Sequence, residues 1–350
     1  MKTVCWIVAA ACAMTTAWLS FREGALAERV SQKAGTGLLA IEHDSTESDL
    51  VIFAGGTIRV DFNAKEFALS RRDLTEWVRD SARATAAYFG RFPVPHAHLV
   101  FEPTGGTEVA SGRAVGRPEP KIVVTMGNRT KGSQLAHESL LVHEMTHLAI
   151  PDHDIRHLWL HEGIATYVEY IARAQAGLIP ASAMWAELMR ELPTGLPERR
   201  EAGGLDGTPS DGRRYWGGAL FCLLADIEIR KATSNRLGLQ DALRALQLQG
   251  GNLSRLWTLE RTLDIADRGT GTAALSQLYR LMGNRPHTPD LNRLWRDLGL
   301  IREHGGLVLD EMAPLASIRR AITDRPSAPL LVAEPRLLRI VDARMRELQR

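Results

Sequence analysis

The pattern of hydrophobic and polar positions predicts strands in the first third of the chain. Residues 37–41 and 50–60 are apolar or alternating and rich in β-branched side chains, which predicts two or three strands. Apolar runs at 98–101 and 121–125 predict further strands around a glycine-rich connection, residues 103–120. We therefore expect a small sheet before the helical part of the chain.

Helical periodicity dominates the remainder. Amphipathic patterns predict helices over residues 69–89, 134–150, 158–174, 181–191, 216–231, 239–248, 271–282 and 290–298. Residues 193–213, rich in Gly, Pro and charge, predict a mobile surface loop, and residues 307–309 predict a late strand. Strands followed by helices predict an α+β fold, with a small mixed sheet preceding a mostly helical subdomain.

The composition is that of a globular protein. The chain has 350 residues, of which 45% are hydrophobic and 24% charged, so it can form one large or two medium cores. The formal net charge is +2, and no basic block gathers the arginines into a stripe. These features argue against nucleic acid as a partner.

The N-terminus has the pattern of a signal peptide. Lys2 supplies a positive charge, residues 4–19 form an apolar core, and Ala25 and Ala27 are the small residues that a signal peptidase requires. We expect cleavage after Ala27, a periplasmic or secreted protein, and no stable membrane span after cleavage. An uncleaved anchor is the alternative, because residues 4–21 are nearly long enough to cross a bilayer.

Removal of the signal peptide would take Cys5 and Cys12 with it. Cys222 would then be alone, so no intramolecular disulfide is expected. Its neighbours are Leu and Phe residues, which favours burial as a small hydrophobe over a nucleophilic role.

The sequence H-E-M-T-H at residues 143–147 is the most informative segment for function. On a helix, His143 and His147 lie one turn apart on the same face, where both can coordinate one Zn²⁺ ion. Zinc lowers the pKa of a water molecule from about 15.7 to about 7, and Glu144 would take the proton. The pattern predicts a zinc hydrolase of the peptidase class, with one zinc ion per chain.

A catalytic zinc needs a third protein ligand, and two residues compete for that role. His153 follows His147 at a spacing that another class of zinc peptidases uses, with a Gly midway for a sharp turn. Here Ile150 and Pro151 stand at the turn, which disfavours His153. Glu162 lies in the next predicted helix and would complete a His₂Glu set, which is typical of catalytic sites.

Three blocks of the chain resemble gluzincin aminopeptidases, and the glycyl aminopeptidase family is the nearest match. Residues 159–167, W-L-H-E-G-I-A-T-Y, are similar to the W-L-x-E-G-x-A-x-Y segment of those enzymes. Residues 215–230 resemble their Y-x-x-G-x-L block and the helix after it, and residues 238–243 resemble the following helix. The resemblance covers roughly residues 75–300.

The resemblance implies a thermolysin-like gluzincin catalytic domain with the H-E-x-x-H helix at its active site. It implies that His143, His147 and Glu162 are zinc ligands and that Glu144 is the general base. It also implies that the Tyr215 hydroxyl stabilises the oxyanion of the tetrahedral intermediate, a contribution on the order of 3 kcal/mol. The substrate would be a peptide or protein.

The resemblance is weaker where an aminopeptidase must bind the substrate's free amine. The family uses a Gly-rich stretch ending in Glu, and Gly105, Gly106 and Glu108 are the candidates here. A carboxylate at this point would pair with an ammonium group. The same stretch is equally consistent with a turn leading to an edge strand, residues 122–125, that binds peptide backbone by strand addition. The sequence therefore leaves aminopeptidase and endopeptidase activity open.

We expect four segments along the chain: a signal peptide (1–27), an N-terminal β segment (28–68), a zinc metallopeptidase catalytic domain (69–325), and a C-terminal linker and helix (326–350). Two other functions remain consistent with this organisation. One is a degenerate envelope protein that binds zinc without turnover, although the intact Glu144 and Tyr215 argue against it. The other is a membrane-anchored structural protein without stoichiometric metal.

Overall fold

The structure is a computed structural model that describes residues 38–43, 48–53, 56–63, 65–136, 138–198, 203–303 and 306–324. The predicted signal peptide, with Cys5 and Cys12, and the predicted C-terminal linker and helix lie outside these ranges. Within them, no helix is both long and apolar enough to cross a membrane.

One mixed sheet lies before the helices. Its strands are β1 (Leu38–His43), β2 (Ser48–Phe53), β3 (Gly56–Asp61), β4 (His96–Thr104), β5 (Val109–Val115) and β6 (Lys121–Gly127). The order across the sheet is β1-β2-β3-β4-β6-β5. The β3–β4 and β4–β6 pairs are parallel and the other pairs antiparallel. We expected a boundary after residue 68, between the N-terminal β segment and the catalytic domain. Because β3 pairs with β4, the sheet continues across this boundary.

The glycine-rich connection contains a strand that the sequence pattern did not predict. β5 pairs only with β6 among the described strands and forms an edge of the sheet. The expectation that residues 122–125 form the edge is wrong, because β6 is hydrogen-bonded to both β4 and β5. An edge strand need not bury large side chains, so the small and polar residues of β5 give little hydrophobic signal.

Helices form most of the rest. They are α1 (Arg71–Phe89), α2 (Gly132–Leu135), α3 (Leu140–His147), α4 (Leu158–Gln175), α5 (Ala181–Glu191), α6 (Gly218–Ala232), α7 (Leu239–Leu248), α8 (Leu259–Thr270), α9 (Ala274–Met282), α10 (Leu291–Leu298) and α11 (Ala316–Thr323). A hairpin of β7 (Leu300–Glu303) and β8 (Gly306–Leu309) confirms the late strand. A mixed sheet followed by a mostly helical part confirms the α+β fold.

Helices α8 and α11 were not predicted from the pattern. For α8 the signals were present: the Thr258 hydroxyl accepts a hydrogen bond from the Arg261 N–H at the first turn, and Gly271 ends the helix with a φ of 67°. A Thr N-cap and a left-handed Gly after the last turn are standard helix boundaries.

The motif helix is shorter than the 134–150 that the pattern predicted. The chain forms α2, breaks, and begins again at α3. The Glu138 carboxylate accepts hydrogen bonds from the N–H groups of Ser139 and Leu140, which satisfies donors at the new helix start. After His147 the chain continues as turns into Pro151, which disfavours helix in the residue before it.

Two hydrophobic cores meet at α3. Leu141, Met145 and Leu148 pack in the core between the sheet and α1. Val142 packs in the larger core among the later helices, which also includes Trp159 of α4. The segment bearing H-E-x-x-H is therefore held between the sheet and the helical part.

The stretch predicted as a mobile loop, residues 193–213, is anchored where the structure describes it. A 3-10 helix covers Leu192–Gly195, and a π-helix covers Arg213–Gly217. Leu205 is buried in the helical core. Cys222 is also buried, as expected for a small hydrophobe.

Helices α4 and α6 cross with their backbones in contact. A Cβ built on Gly163 would lie 2.3 Å from the Gly218 backbone, and one on Gly218 would lie 2.2 Å from the Trp159 carbonyl oxygen. The helices can approach this closely because both positions are glycine. Glu162 lies on α4 next to the crossing.

Gly163→Ala is expected to lower the free energy of unfolding by about 1–3 kcal/mol, because the added methyl meets backbone that must move. Urea denaturation of purified protein measures the change. Gly203→Ala is the matched control, since a Cβ there meets nothing within 4 Å. Its change should stay within about 0.5 kcal/mol, and equal effects of the two substitutions would contradict the close crossing.

Candidate metal centre

The local geometry of α3 brings the two motif histidines together. His143 and His147 lie one helical turn apart, and their ring centroids are 4.8 Å apart. Both are more than nine-tenths buried, with exposed fractions of 8% and 9%. Together with Glu144 they form a group whose ligand atoms all lie within 4.8 Å of one another. In the described part of the chain, this is the group of His, Cys, Asp and Glu that could hold a metal ion.

Helix α4 adds the Glu162 carboxylate to this pair. Glu162 Oε2 lies 3.2 Å from His143 Nε2 and 3.6 Å from His147 Nε2. In a tetrahedral zinc site with bonds of about 2.0–2.1 Å, neighbouring ligand atoms lie about 3.3 Å apart. The two separations of Glu162 from the imidazole nitrogens therefore fit a shared zinc ion.

Glu162 fits the role of third ligand better than Glu144, although Glu144 belongs to the compact group. The Glu162 oxygen lies close to both imidazole nitrogens. The Glu144 carboxylate instead accepts a hydrogen bond from the Ala114 backbone N–H. Glu162 is therefore the better placed of the two carboxylates to share a cation with both imidazoles, and Glu144 lies beside them.

The charges of the site are strongly coupled. Burial by itself lowers the pKa of His143, but hydrogen bonds to Glu162 and Glu169 outweigh it and raise the pKa to about 10. Burial raises the pKa of Glu162, but the hydrogen bond with His143 and the nearby His147 imidazole outweigh it and hold the pKa well below its usual range. Without metal the site keeps a proton on His143, so a bound cation would replace that proton.

Glu169 is a site residue that the sequence reasoning missed. His143 Nδ1–H donates to Glu169 Oε2 at 2.9 Å, which holds the ring with Nε2 facing Glu162. A carboxylate on the second nitrogen of a metal-binding His fixes its tautomer and orientation. The signal was available: Glu169 follows Glu162 by seven residues, which is nearly two turns on the same face of α4.

Glu144 lies against the edge strand of the sheet. A Cβ on Gly112 of β5 would lie 2.7 Å from Glu144 Oε1, so only Gly allows this approach. Burial raises the pKa of Glu144, and the charges of His147 and His143 offset part of that rise. A carboxyl with a raised pKa holds a proton more readily than a solvated one, which suits a group that must take a proton and pass it on.

Tyr215 also reaches the centre. It lies in the π-helix before α6, an irregularity that recurs at functional sites. Its ring stacks on His143 at a centroid distance of 6.0 Å, and its hydroxyl is hydrogen-bonded to Glu162. Burial and the nearby Glu162 charge raise the pKa of Tyr215 to about 12, so it stays a hydrogen-bond donor at neutral pH.

His153, the competing ligand candidate, has protein partners for both ring nitrogens. Its Nε2–H donates to the Thr262 hydroxyl at 2.8 Å, and its Nδ1 lies 3.1 Å from His161 Nε2. His161 Nε2–H donates to the Pro151 carbonyl at 2.6 Å. Burial lowers the pKa of both histidines, to about 3 for His153 and about 4 for His161. These residues form a neutral pair beside the metal ligands.

The candidate amine-binding residues do not come to the centre. Gly105 and Gly106 form the turn between β4 and β5, and the Gly106 carbonyl accepts a hydrogen bond from the Arg129 N–H. Glu108 is exposed at the start of β5. Neither glycine nor Glu108 belongs to the described residues that line the cavity at the metal centre.

That cavity has a volume of about 310 Å³. Five of the residues described above line it: His143, Glu144, His147, Glu162 and Tyr215. The other lining residues are Gly112, Arg113, Ala114, Asp152, His153, Asp154, Ile155, Leu158, His161 and Leu253.

The start of α4 is fixed from outside the cavity. Asp206 Oδ1 accepts hydrogen bonds from His157 Nδ1–H at 2.8 Å and Trp159 Nε1–H at 2.7 Å. Asp206 Oδ2 accepts from the Tyr279 hydroxyl at 2.6 Å. The loop of residues 203–212 thereby holds the helix turn that precedes Glu162.

Comparisons with known proteins find similarity in fold. No protein-family profile and no curated protein sequence matches the chain. An aminopeptidase N family protein from Idiomarina loihiensis superposes with a TM-score of 0.55 at 14% identity, over 73% of this chain and 49% of that one. An M1 zinc metallopeptidase from Deinococcus radiodurans gives a TM-score of 0.46 at 18% identity, over 73% and 52%.

The chain thus spans about half the length of these solved structures. At these identities the similarity concerns the fold alone. The described part of the chain is similar in fold to about half of the aminopeptidase N family protein.

Glu169→Gln is expected to weaken zinc binding about 10- to 100-fold, because it weakens the hydrogen bond that orients His143. Competition with a fluorescent chelator measures the zinc Kd. Glu228→Gln, which alters an exposed ion pair with Lys231, is the control and should leave the Kd unchanged. An unchanged Kd in Glu169→Gln would show that Glu169 does not support the metal ligand.

Proposed function

We propose that this protein is a zinc-dependent peptidase of the gluzincin type, with a thermolysin-like catalytic domain. The observation that carries the proposal is the position of Glu162 Oε2, 3.2 and 3.6 Å from the two motif imidazole nitrogens. His143, His147 and Glu162 would hold one zinc ion per chain. Zinc would act as a Lewis acid that polarises a carbonyl oxygen and acidifies water. A His₂Glu set with an open position favours zinc over other first-row metals.

Glu144 is the general base of this proposal. Its carboxylate is held beside the motif histidines by the Ala114 N–H, and its pKa is raised by burial. It would remove a proton from the attacking water and later deliver it to the leaving amine. A base placed in this way contributes typically 10²- to 10⁴-fold to the rate.

Tyr215 would stabilise the charge that develops on the substrate carbonyl oxygen. Its hydroxyl is a donor at neutral pH, and its hydrogen bond to Glu162 keeps it at the metal ligands. Such a donor acts most strongly in a site that excludes water, and Tyr215 is half-buried at the cavity wall.

The edge of β5 would bind the substrate backbone. Its free side passes Glu144 at Gly112, and both residues line the cavity. An extended peptide can add to such an edge as a further strand, which positions one peptide bond near the catalytic groups. This mode needs no amine-binding carboxylate and is compatible with endopeptidase activity.

Export to the periplasm or the medium, proposed from the signal-peptide pattern, would make extracytoplasmic peptides the substrates.

The test is a mixed peptide library incubated with the zinc-loaded protein and analysed by mass spectrometry. Glu144→Gln should reduce cleavage at least 100-fold, because the amide cannot accept the proton. Its zinc content should remain one ion per chain. Residues lost singly from free N-termini would show an aminopeptidase, and internal cuts an endopeptidase. Equal cleavage by both proteins would indicate a contaminant, and no cleavage by either would leave a zinc-binding protein without turnover.

Tyr215→Phe is expected to lower kcat about 100-fold with a small change in KM, because the hydroxyl acts on charge that exists mainly in the transition state. Steady-state kinetics on a peptide from the library measures both constants. Tyr170→Phe is the control: Tyr170 packs on Trp216, outside the cavity. A rise in KM with unchanged kcat in Tyr215→Phe would assign the hydroxyl to ground-state binding instead.

A further inference from the structure

A second cavity lies apart from the metal centre. It has a volume of about 650 Å³ and is formed where the end of α5, helix α10 and strand β7 meet. None of its described lining residues lines the cavity at the metal centre. The peptidase function proposed above therefore gives this second cavity no role.

The charged residues that line the second cavity are all arginines. Arg190 comes from α5, Arg296 from α10 and Arg302 from β7. No described carboxylate lines it. The whole chain is nearly balanced, with 43 Lys and Arg against 41 Asp and Glu, so a lining with one sign of charge departs from the average. A concave surface of one sign concentrates ions of the opposite sign.

Local geometry brings two of these arginines to the cavity. Asn292 and Arg296 lie four residues apart on α10, so they share a helix face. Arg302 follows Leu300 by two residues on β7, so both side chains lie on the same face of the strand. Gly299 ends α10 with a φ of 71° directly before β7 begins. A single residue thus joins the helix that bears Arg296 to the strand that bears Arg302.

The guanidinium groups of Arg296 and Arg302 form no ion pair with a described carboxylate, whereas Arg293 on the same helix lies 3.6 Å from Asp297. A cation in the last turn of a helix complements the helix dipole, which by itself could explain Arg296. That reason does not apply to Arg302, which lies on a strand. Both guanidinium groups therefore keep donors available to a ligand.

Arg190 is held by its own helix. It forms ion pairs with Glu187 and, at 2.6 Å, with Glu191. Neither carboxylate lines the cavity. These pairs position the Arg190 guanidinium but also offset its charge. The excess positive charge of the cavity therefore comes from Arg296 and Arg302.

The remaining lining is largely apolar. Met189, Trp295 and Leu300 are buried, and Ile301 is 45% exposed although it is a large hydrophobic residue. Apolar and aromatic side chains with a few convergent polar groups are the usual composition of a ligand pocket. Guanidinium groups match the oxygen geometry of phosphate and carboxylate.

We propose that this cavity binds an anionic group, a phosphate or a carboxylate, that is attached to an apolar body. Arg296 and Arg302 would bind the anion, and Trp295 and Ile301 would contact the apolar body. A soluble organic anion and the head group of an anionic lipid share this chemistry. The proposal does not depend on the peptidase function.

The test uses phenyl phosphate as the probe and calorimetry on the zinc-loaded protein at low salt. One molecule should bind per chain. The double variant Arg296→Gln, Arg302→Gln should raise the Kd at least about tenfold, because charge-assisted hydrogen bonds to the anion are lost. Both residues are exposed, so the fold should persist, and thermal unfolding checks this. Arg293→Gln is the matched control, since Arg293 is exposed on the same helix but does not line the cavity.

Two further probes examine the apolar body and the source of the anion. Inorganic phosphate should bind several-fold more weakly than phenyl phosphate, because it cannot contact Trp295 and Ile301; equal affinities would overturn the role of the apolar lining. Cosedimentation with phosphatidylglycerol vesicles, and with phosphatidylcholine vesicles as the neutral control, tests the lipid source. Binding to phosphatidylglycerol alone that is lost in the double variant would identify a lipid head group.

The outcomes are decisive for the site. Binding of either anionic probe that falls in the double variant and persists in Arg293→Gln supports it. Binding that is unchanged in the double variant overturns it, because the anion then binds elsewhere, for example at the zinc ion. No binding of phenyl phosphate or of anionic vesicles at millimolar concentration also overturns it. Glu144→Gln should bind phenyl phosphate normally while losing peptide cleavage, so the two proposals can fail separately.

Discussion

The pairing of buried carboxylates with two imidazoles is the interaction on which the rest of the structure depends. Glu144, Glu162 and Glu169 converge on His143 and His147 in the space between two hydrophobic cores. Removing such charges from water costs several kcal/mol per ion unless each has a partner. The imidazoles and backbone groups described above are the partners of these carboxylates. When both imidazoles are neutral, the three carboxylates give the site a net negative charge. A divalent cation would offset most of this charge.

Helix α4 organises this arrangement. It supplies Glu162 toward both imidazoles, Glu169 to the far side of His143, and Leu158 to the lining of the cavity, all from one face. The helix is fixed at its start by Asp206 and at its middle by the backbone contact of Gly163 with Gly218. Groups on a helix that is packed and anchored in this way keep their relative positions more accurately than groups on loops.

The sheet contributes to the candidate metal centre through its edge strand and not through its central strands. The inner strands bury large residues against α1 and α3, whereas β5 contributes Gly112, Arg113 and Ala114 to the lining of the cavity. Gly112 lets this edge approach Glu144 until the Ala114 N–H reaches the carboxylate. The residues of the candidate metal centre therefore lie on helices, and other residues that line the cavity come from the edge strand and from loops.

Local geometry explains what the sequence by itself determined. The spacing of His143 and His147 places both on one helix face wherever that helix lies, and the α5 and α7 boundaries follow from periodicity within each segment. The burial of Cys222 followed from its apolar neighbours in the same way.

Tertiary packing decided the remainder. Strand order is not encoded in any single segment. It makes β5 an edge strand, brings β5 past Glu144 and leaves Glu108 facing solvent. The contact of Glu169 with His143 and the approach of Leu253 to Leu148 join residues 26 and about 100 positions apart. Contacts over such separations arise from the packing of two cores against each other, so they became visible only in the folded chain.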